Sequence, residues 1–415
     1  MRDRDLYAAI LGVQSPWHVS DVQLDQSSRE VRVLVEAASS TAFGCPECGA
    51  DSPRHDHRER RWRHLDTCQF RTILVAKVPR VDCAEHGVHQ VKVPWSEPGS
   101  RFTALFEALV IDWLREAPLS AVARLLGLSW DQVDGIMERA VQRGLARRQQ
   151  IPVEFVGVDE ASFRKGHRYV TFVTDLVTGD VLHVAPGRTK EALAAWLADL
   201  RPEQRQAIQA FAMDMWKPFI AAVLEAIPLA KDKVCFDRFH VAQHLGDAVD
   251  RVRREEHRRL KEEGSDLLTG TRMLWRRRAE NLGEVELRAL EVLEELSLKT
   301  AKAWGFKENA AMLWRFKHRG WALRAWTRWI GRVMRSRLEP MKRVARMIRD
   351  HLWGIVNAIV HGVTNAGSEA TAAKVQRIKR RACGFRNMDR FVNAILFHLG
   401  GLDLYHEVLG THTKS

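Results

Sequence analysis

Hydrophobic positions change their period several times along this chain, and each change marks a different kind of element. Near the start, Glu30-Val31-Arg32-Val33-Leu34-Val35 alternates as a half-buried strand does. Arg71-Thr72-Ile73-Leu74-Val75 is a second β-like run, and PWSEPGS, from Pro94 to Ser100, reads as a linker. From 101 to 148 apolar residues recur at helical spacing, with Gly127 as an internal breaker. Ile151-Pro152 opens an α/β texture. Strands are expected at Val153–Val158, Arg168–Thr174 and Asp180–Val184, followed by a helix at Thr189–Leu200. Then come an apolar run at Ala207–Met213, a helix from Phe219 to Ala226 and a strand at Lys233–Phe236. After Phe239 the chain turns helical and charged to about residue 360, and from Asn365 it is helical and basic.

Such a succession predicts a multidomain α+β protein, and 415 residues leave room for roughly two to four domains. There is no internal repeat. No apolar run approaches the ~18 residues of a membrane span, and MRDRDLYAAILG lacks a secretory signal's apolar stretch. Lys+Arg 65 against Asp+Glu 52 gives a formal charge of +13, which favours a polyanionic partner. The excess is concentrated. Arg315 to Arg349 is rich in Arg and Lys, including Arg328 and Arg332, and Lys374 to Arg390 is a second cluster that includes Lys379 and Arg380. Both can neutralise phosphates. Trp314, Trp321, Trp326 and Trp329 are interleaved in the first; at helical spacing tryptophans are more often core than platforms for unpaired bases.

Four of the six cysteines fall in the first ninety residues, a clustering that points to metal binding in a reducing compartment. Cys45-Pro46-Glu47-Cys48-Gly49 has the form of a zinc knuckle, and Cys83-Ala84-Glu85-His86-Gly87 repeats its spacing. Two knuckles make a closed tetrahedral site, so Cys45, Cys48, Cys83 and His86 are the expected ligands of one structural Zn²⁺. His89, Cys68, His55 and His57 compete for the fourth place. Arg58 to His64, between the knuckles, suits phosphate contact or a solvated loop. Farther on, Leu119 to Leu128 fits a first helix and a sharp turn at Gly127. Ser129-Trp130-Asp131-Gln132 reads as a capping box opening a second helix. The pair makes a helix-turn-helix, with Ser129, Trp130 and Gln132 at the end that would enter a major groove. A plain helical hairpin has the same pattern.

Three apolar runs end in acids: Asp159, Asp214 and Asp237. Acids at strand ends are common as turn residues, but the order of elements narrows the choice. Three strands, a helix, a strand, a helix and a strand is the RNase H-like order. There the first and fourth strands lie side by side, so Asp159 and Asp214 would converge and a third acid would arrive on a later helix.

At this point the chain resembles the ISL-three family of bacterial insertion-sequence transposases. CPECG, CAEHG, the helix-turn-helix, GVDE at 157–160, MDMWKPF at 213–219, FDRFHVAQHL at 236–245 and TNAGSEATAAKVQRIKRRACGFRNMDRF at 364–391 carry the resemblance. It implies a DDE triad of Asp159, Asp214 and Glu369 holding two catalytic Mg²⁺ or Mn²⁺ ions, with Asp237 and His240 in support. It also implies a helical insertion before the last catalytic helix. The expected domains are a zinc-binding module at 1–98, a helix-turn-helix domain at 99–150 and an RNase H-like catalytic domain at 151–246. A helical insertion at 247–360 and the last catalytic part at 361–415 follow. Cys-x-x-His in the second knuckle departs from the Cys-x-x-Cys of the family's pattern. The implied activity is metal-dependent cleavage and joining of DNA at an element's terminal inverted repeats. The implied partner is double-stranded DNA, transposon ends and target, bound by a homodimer or higher oligomer in the bacterial cytoplasm at the nucleoid. Two other readings compete: a non-catalytic DNA-binding regulator, and an RNase H-like nuclease or resolvase that cuts without joining.

Overall fold

A computed structural model describes residues 3–164, 166, 168–296 and 298–407. They form two compact units, one from 3–148 together with 402–407 and the other from the described residues between 149 and 401.

In the first unit, helix α1 (Asp3–Leu11) precedes strands β1 (Trp17–Asp25), β2 (Glu30–Ala37), β3 (Phe43–Gly44), β4 (Asp51–Ser52), β5 (Arg54–Thr67), β6 (Phe70–Cys83) and β7 (Gly87–Gln90). The main sheet runs β1-β2-β6-β5, with β7 also on β6; β2 and β6 are parallel and the other pairs antiparallel. Alternate residues of β2 and β6 (Val31, Val33, Val35, Leu74, Ala76, Val78) form one apolar face, as period-two patterning requires. Arg58 to His64 is not a loop but the middle of β5, paired residue for residue with β6. Its exposed charges hide the alternation, which emerges only at buried Trp62 and His64. PWSEPGS is an irregular connection between β7 and the next helix, as expected of a linker, but it is a packed one: Trp95 is buried edge-on against Trp17 and Trp62.

Three helices complete this unit: α2 (Ala104–Glu116), α3 (Leu119–Leu126) and α4 (Trp130–Arg147). Gly127 closes α3 in the left-handed region at φ 62°, and α4 opens on the expected capping box of Ser129 and Gln132. Residues 402–407, which the sequence reading groups with the last catalytic segment, pack on these helices. Arg143 donates to the Leu404 carbonyl, Arg147 to the Tyr405 carbonyl at 2.6 Å, and the Tyr405 hydroxyl to Asp112 at 2.5 Å.

The second unit holds a sheet of β8 (Phe155–Arg164), β9 (Arg168–Asp175), β10 (Val181–Pro186), β11 (Ala210–Met213) and β12 (Val234–Phe236), in the order β10-β9-β8-β11-β12. The first three pair antiparallel, while β11 is parallel to both β8 and β12. Helices α5 (Lys190–Asp199), α6 (Pro202–Ala207), α7 (Lys217–Ala226) and α8 (Ala230–Lys233) connect the later strands. Strand β8 does not stop at Val158. Ala161 and Phe163 continue the buried alternation against β9, so Asp159 is mid-strand, just beyond the point where β11 leaves β8.

From β12 onward the chain is helical: α9 (Arg238–Glu262), α10 (Arg272–Arg276), α11 (Glu284–Glu295), α12 (Lys299–Leu313), α13 (Arg319–Met334), α14 (Glu339–Asp350), α15 (Leu352–His361), α16 (Ala366–Arg381) and α17 (Met388–Leu399). Apolar residues of sheet and helices share one buried cluster, from Val156 and Phe211 to Trp275, Trp326 and Trp329. Trp314 is partly buried against that cluster, whereas Trp321 is exposed beside Arg324. Buried Glu256 fastens α9 to α12 by accepting from the Lys299 and Thr300 amides at 2.9 and 2.7 Å. No helix among the described residues is long and apolar enough to cross a membrane.

Candidate metal centres and nucleic-acid interface

The two knuckles meet. β3 and β4 bracket the first, β6 and β7 the second, and each is followed by a glycine at positive φ, Gly49 at 77° and Gly87 at 74°. The ligand atoms of Cys45, Cys48, Cys83 and His86 lie within 4.8 Å of one another. Cys48 Sγ is 3.8 Å from Cys83 Sγ, and Cys83 Sγ is 3.6 Å from His86 Nδ1. Zn–S bonds of about 2.3 Å and Zn–N bonds of about 2.0–2.1 Å at tetrahedral angles require separations of about 3.8 and 3.6 Å. The gap therefore fits a zinc ion. The His86 backbone N–H, and then its ring, pull the Cys83 thiol down to about 6, toward the thiolate a metal needs. His89, Cys68, His55 and His57 are outside this group.

A second centre gathers at one end of the β8–β11–β12 sheet. Asp159 projects from β8, Asp214 follows β11, Asp237 follows β12 and Glu369 lies in the first turn of α16. Asp159 and Asp214 each accept the next backbone N–H, at 2.8 and 2.6 Å, which fixes one oxygen and leaves the other for a partner. Asp237 is different. It is 3% exposed and caps α9, accepting from the Phe239 and His240 amides at 3.0 and 3.3 Å, from His240 Nδ1 at 3.2 Å and from the Asn365 amide at 3.2 Å. It buckles the start of α9 to the start of α16. Asp237, His240 and Glu369 offer atoms within 4.8 Å of one another.

The close approach of α16 has a sequence cause. Gly157 sits under the first turn of α16, and a Cβ there would lie 1.9 Å from Ser368 Oγ. Only a residue without a side chain lets the first turn of α16, which carries Glu369, pack this closely on β8. Lys379 and Gln376 brace the same helix by donating to the Ser162 carbonyl at 2.8 and 3.2 Å, so the Lys379 amine is committed to β8 while Arg380 is exposed.

Acids outnumber cations here, and the titration shifts follow. Burial raises Asp159, and Asp214 and Asp237 add to the effect. Burial pushes Glu160 up to about 7 despite Arg188. Glu369 is raised by burial and then by Asp237, and its Oε1 is buried without a partner. For Asp237 burial is outweighed by the hydrogen bonds from His240 and Asn365, which hold it low. The bond to Asp237 lifts His240 to about 9, so it is cationic at neutral pH. Carboxylates crowded this way, with an orphaned oxygen, lack positive charge and suit oxygen-loving divalent cations.

Arg188, on the loop after β10, is the residue that the sequence did not flag. Its Nε is 2.9 Å from Glu160, its Nη2 3.7 Å from Asp214, and its guanidinium stacks 4.1 Å from the Trp216 ring centroid. Glu160 and Trp216 stand in the quoted GVDE and MDMWKPF runs, but a single loop arginine carries no spacing signal.

Arg328 and Arg332 are exposed on α13, opposite its buried Trp326 and Trp329. Ser129 and Gln132 spend their side chains on the cap, and Trp130 beside them is 37% exposed.

Comparison with known proteins adds three domain matches. Residues 156–395 match a model described as a transposase. Residues 41–86 match the zinc-finger of transposase IS204/IS1001/IS1096/IS1165, and residues 91–141 the helix-turn-helix domain of transposase family ISL3. The chain is 25% identical over 396 residues to the transposase for insertion sequence element IS1001 of Bordetella parapertussis, covering 94% of this chain and 97% of that one. It is 27% identical over 432 residues to the transposase for insertion sequence element IS1557 of Mycobacterium tuberculosis, covering 97% and 96%.

Proposed function

The chain belongs to the transposase family ISL3, and from that premise we propose that it cuts DNA at the terminal inverted repeats of an insertion sequence and joins the ends to a target. The observation that carries this reading is the set of acids at one sheet end: Asp159 on β8, Asp214 after β11 and Asp237 after β12, with Glu369 in the first turn of α16 offering an oxygen within 4.8 Å of Asp237 and His240. The β10-β9-β8-β11-β12 order, with the last two strands parallel to β8, supports an RNase H-like catalytic body. The helices between α9 and α15 are then an insertion that shares its core. The proposed domain limits are those expected from sequence, except that residues 402–407 belong with the DNA-binding unit.

Asp159, Asp214 and Glu369 would hold two Mg²⁺ or Mn²⁺ ions, which when bound supply charge to the scissile phosphate and lower the pKa of an attacking hydroxyl. The chain's own work is orientation. The Met215 N–H aims Asp214, Gly157 admits Glu369, and Asp237 locks α9 to α16 with cationic His240 offsetting acid repulsion. Water attacks phosphorus and the strand's 3′-oxygen leaves. In joining, that 3′-hydroxyl attacks a target phosphate and a target 3′-oxygen leaves. The ribbon and helix-turn-helix read the ends, while α13 and Arg380 meet the backbone. A homodimer or higher oligomer would pair two ends, in the cytoplasm at the nucleoid.

Joining separates a transposase from a nuclease. Zinc-loaded protein, pre-cut ends bearing 3′-hydroxyls and a supercoiled plasmid should give covalently joined products in Mg²⁺. Nicks without joined ends would favour the nuclease reading.

A further inference from the structure

We propose that Arg188 is a catalytic residue that grips a DNA phosphate next to the metal-binding acids, a role that rests on the acid-cluster reading above. Its backbone is built in. The Gly187 amide donates to the Tyr169 carbonyl at 2.8 Å, Thr171 Oγ1 donates to the Gly187 carbonyl at 2.8 Å, and Trp216 Nε1 donates to the Arg188 carbonyl at 3.3 Å. Thr189 then caps α5. The guanidinium is held as well, over the Trp216 ring at 4.1 Å from its centroid and 6.0 Å from the Tyr169 ring centroid, with its side chain 26% exposed. An arginine so held loses little freedom when it meets an anion.

What it touches in the free protein is incomplete. Glu160 lies at 2.9 Å, but Nε has no aligned hydrogen bond, and Asp214 at 3.7 Å is beyond hydrogen-bonding reach. Once Asp214 is committed to a cation, the Nη2 edge is left with donors facing the reacting space. The anion delivered to that space is a phosphodiester, whose non-bridging oxygens match the planar donor fork. Glu160 keeps the guanidinium in place from the other side, and Trp216 prevents it from swinging away.

The test uses the full zinc-loaded chain with element-end duplexes carrying one uncharged methylphosphonate at, or on either side of, the cut. R188A should lower metal-dependent cleavage by roughly 100- to 1000-fold, the loss typical of a missing charge-stabilising donor. R188K, which keeps charge without the fork, should fall between, and it carries the test if R188A fails to fold. Mn²⁺ affinity of the free protein, read from the loss of the free-ion paramagnetic signal, should hold or rise in both variants because a cation has been removed or loosened. At one position the methylphosphonate should slow wild type to the R188A rate and slow R188A no further. Equal slowing of both proteins at every position overturns the proposal, as does weaker Mn²⁺ binding by R188A, which would make Arg188 a prop for the acids. D214N is measured alongside: wild-type cleavage by D214N would sink the acid-cluster reading itself, whatever Arg188 does.

Discussion

Replacing Gly157 by Ala adds one methyl group at the closest contact between β8 and α16. Its Cβ would stand 1.9 Å from Ser368 Oγ, 2.8 Å from Leu176 Cδ2 and 3.3 Å from Asn365 Oδ1. Leu176 can turn its tip aside, and the Asn365 contact needs a few tenths of an ångström. Ser368 is the obstacle: it is fully buried and must retreat by about 1.5 Å to reach ordinary contact. Glu369 is the next residue and Asp159 lies two beyond Gly157, so the displacement falls on the separation of two proposed ligands. Overpacking of this kind costs about 1–3 kcal/mol, and a misplacement of ~1 Å in an active site costs on the order of 100-fold in rate. Urea denaturation and cleavage of a labelled element-end duplex should both report the loss, while end binding, which is assigned to the other unit, stays near wild type. S368A in the same chain removes the clashing oxygen and should restore most of both. A G157A protein that folds with unchanged stability and cuts within twofold of wild type would refute the idea that this contact sets the position of Glu369.

Purified protein should carry about one zinc per chain by elemental analysis; C83S should lose it and H86C should keep it, because thiolate and imidazole are interchangeable in such sites. His64, held down to about 4 by burial and then by Arg63, is neutral in the fold and bonded to the α2 cap Thr103 at 2.8 Å. The unfolded chain takes up the proton first, so stability should be full above the ordinary value of 6.5 and fall by about 3 kcal/mol in total toward pH 4. Urea midpoints of wild type and H64F across that window check it, and identical pH profiles would contradict it. Reversing charge at exposed Arg328 and Arg332 should leave stability within ~0.5 kcal/mol yet flatten the salt dependence of DNA binding by about two phosphate contacts. An unchanged slope would mark α13 as a solvated face.

Local signals were legible wherever one element contains its own cause. The alternation of Glu30–Val35, the Ser129–Gln132 cap and the paired knuckles all lie within a few residues, and each is found in place. What stayed hidden depends on partners distant in the chain. β5 is a strand because β6 pairs with it, not because RHDHRERR has a pattern of its own. Trp95 is buried because Trp17 and Trp62 meet there. Asp237 reads as one more acid after an apolar run, yet its role as a buckle needs the Asn365 amide, 128 positions away. Lys379 belongs to a basic cluster by composition but is bound to a carbonyl of β8 by geometry. Arg188 matters only through Glu160, Asp214 and Trp216, which no spacing rule connects to it.

The most direct test of the account is Mg²⁺-dependent release of a labelled element end by wild type and by D159N, D214N and E369Q, with end binding measured on the same samples. Each substitution removes one ligand charge while keeping shape. The account predicts that all three variants bind ends as wild type does, release none above the metal-free background, and stay folded. Release at wild-type rates by any one of them would contradict the assignment of that acid, and release by all three would contradict the catalytic centre.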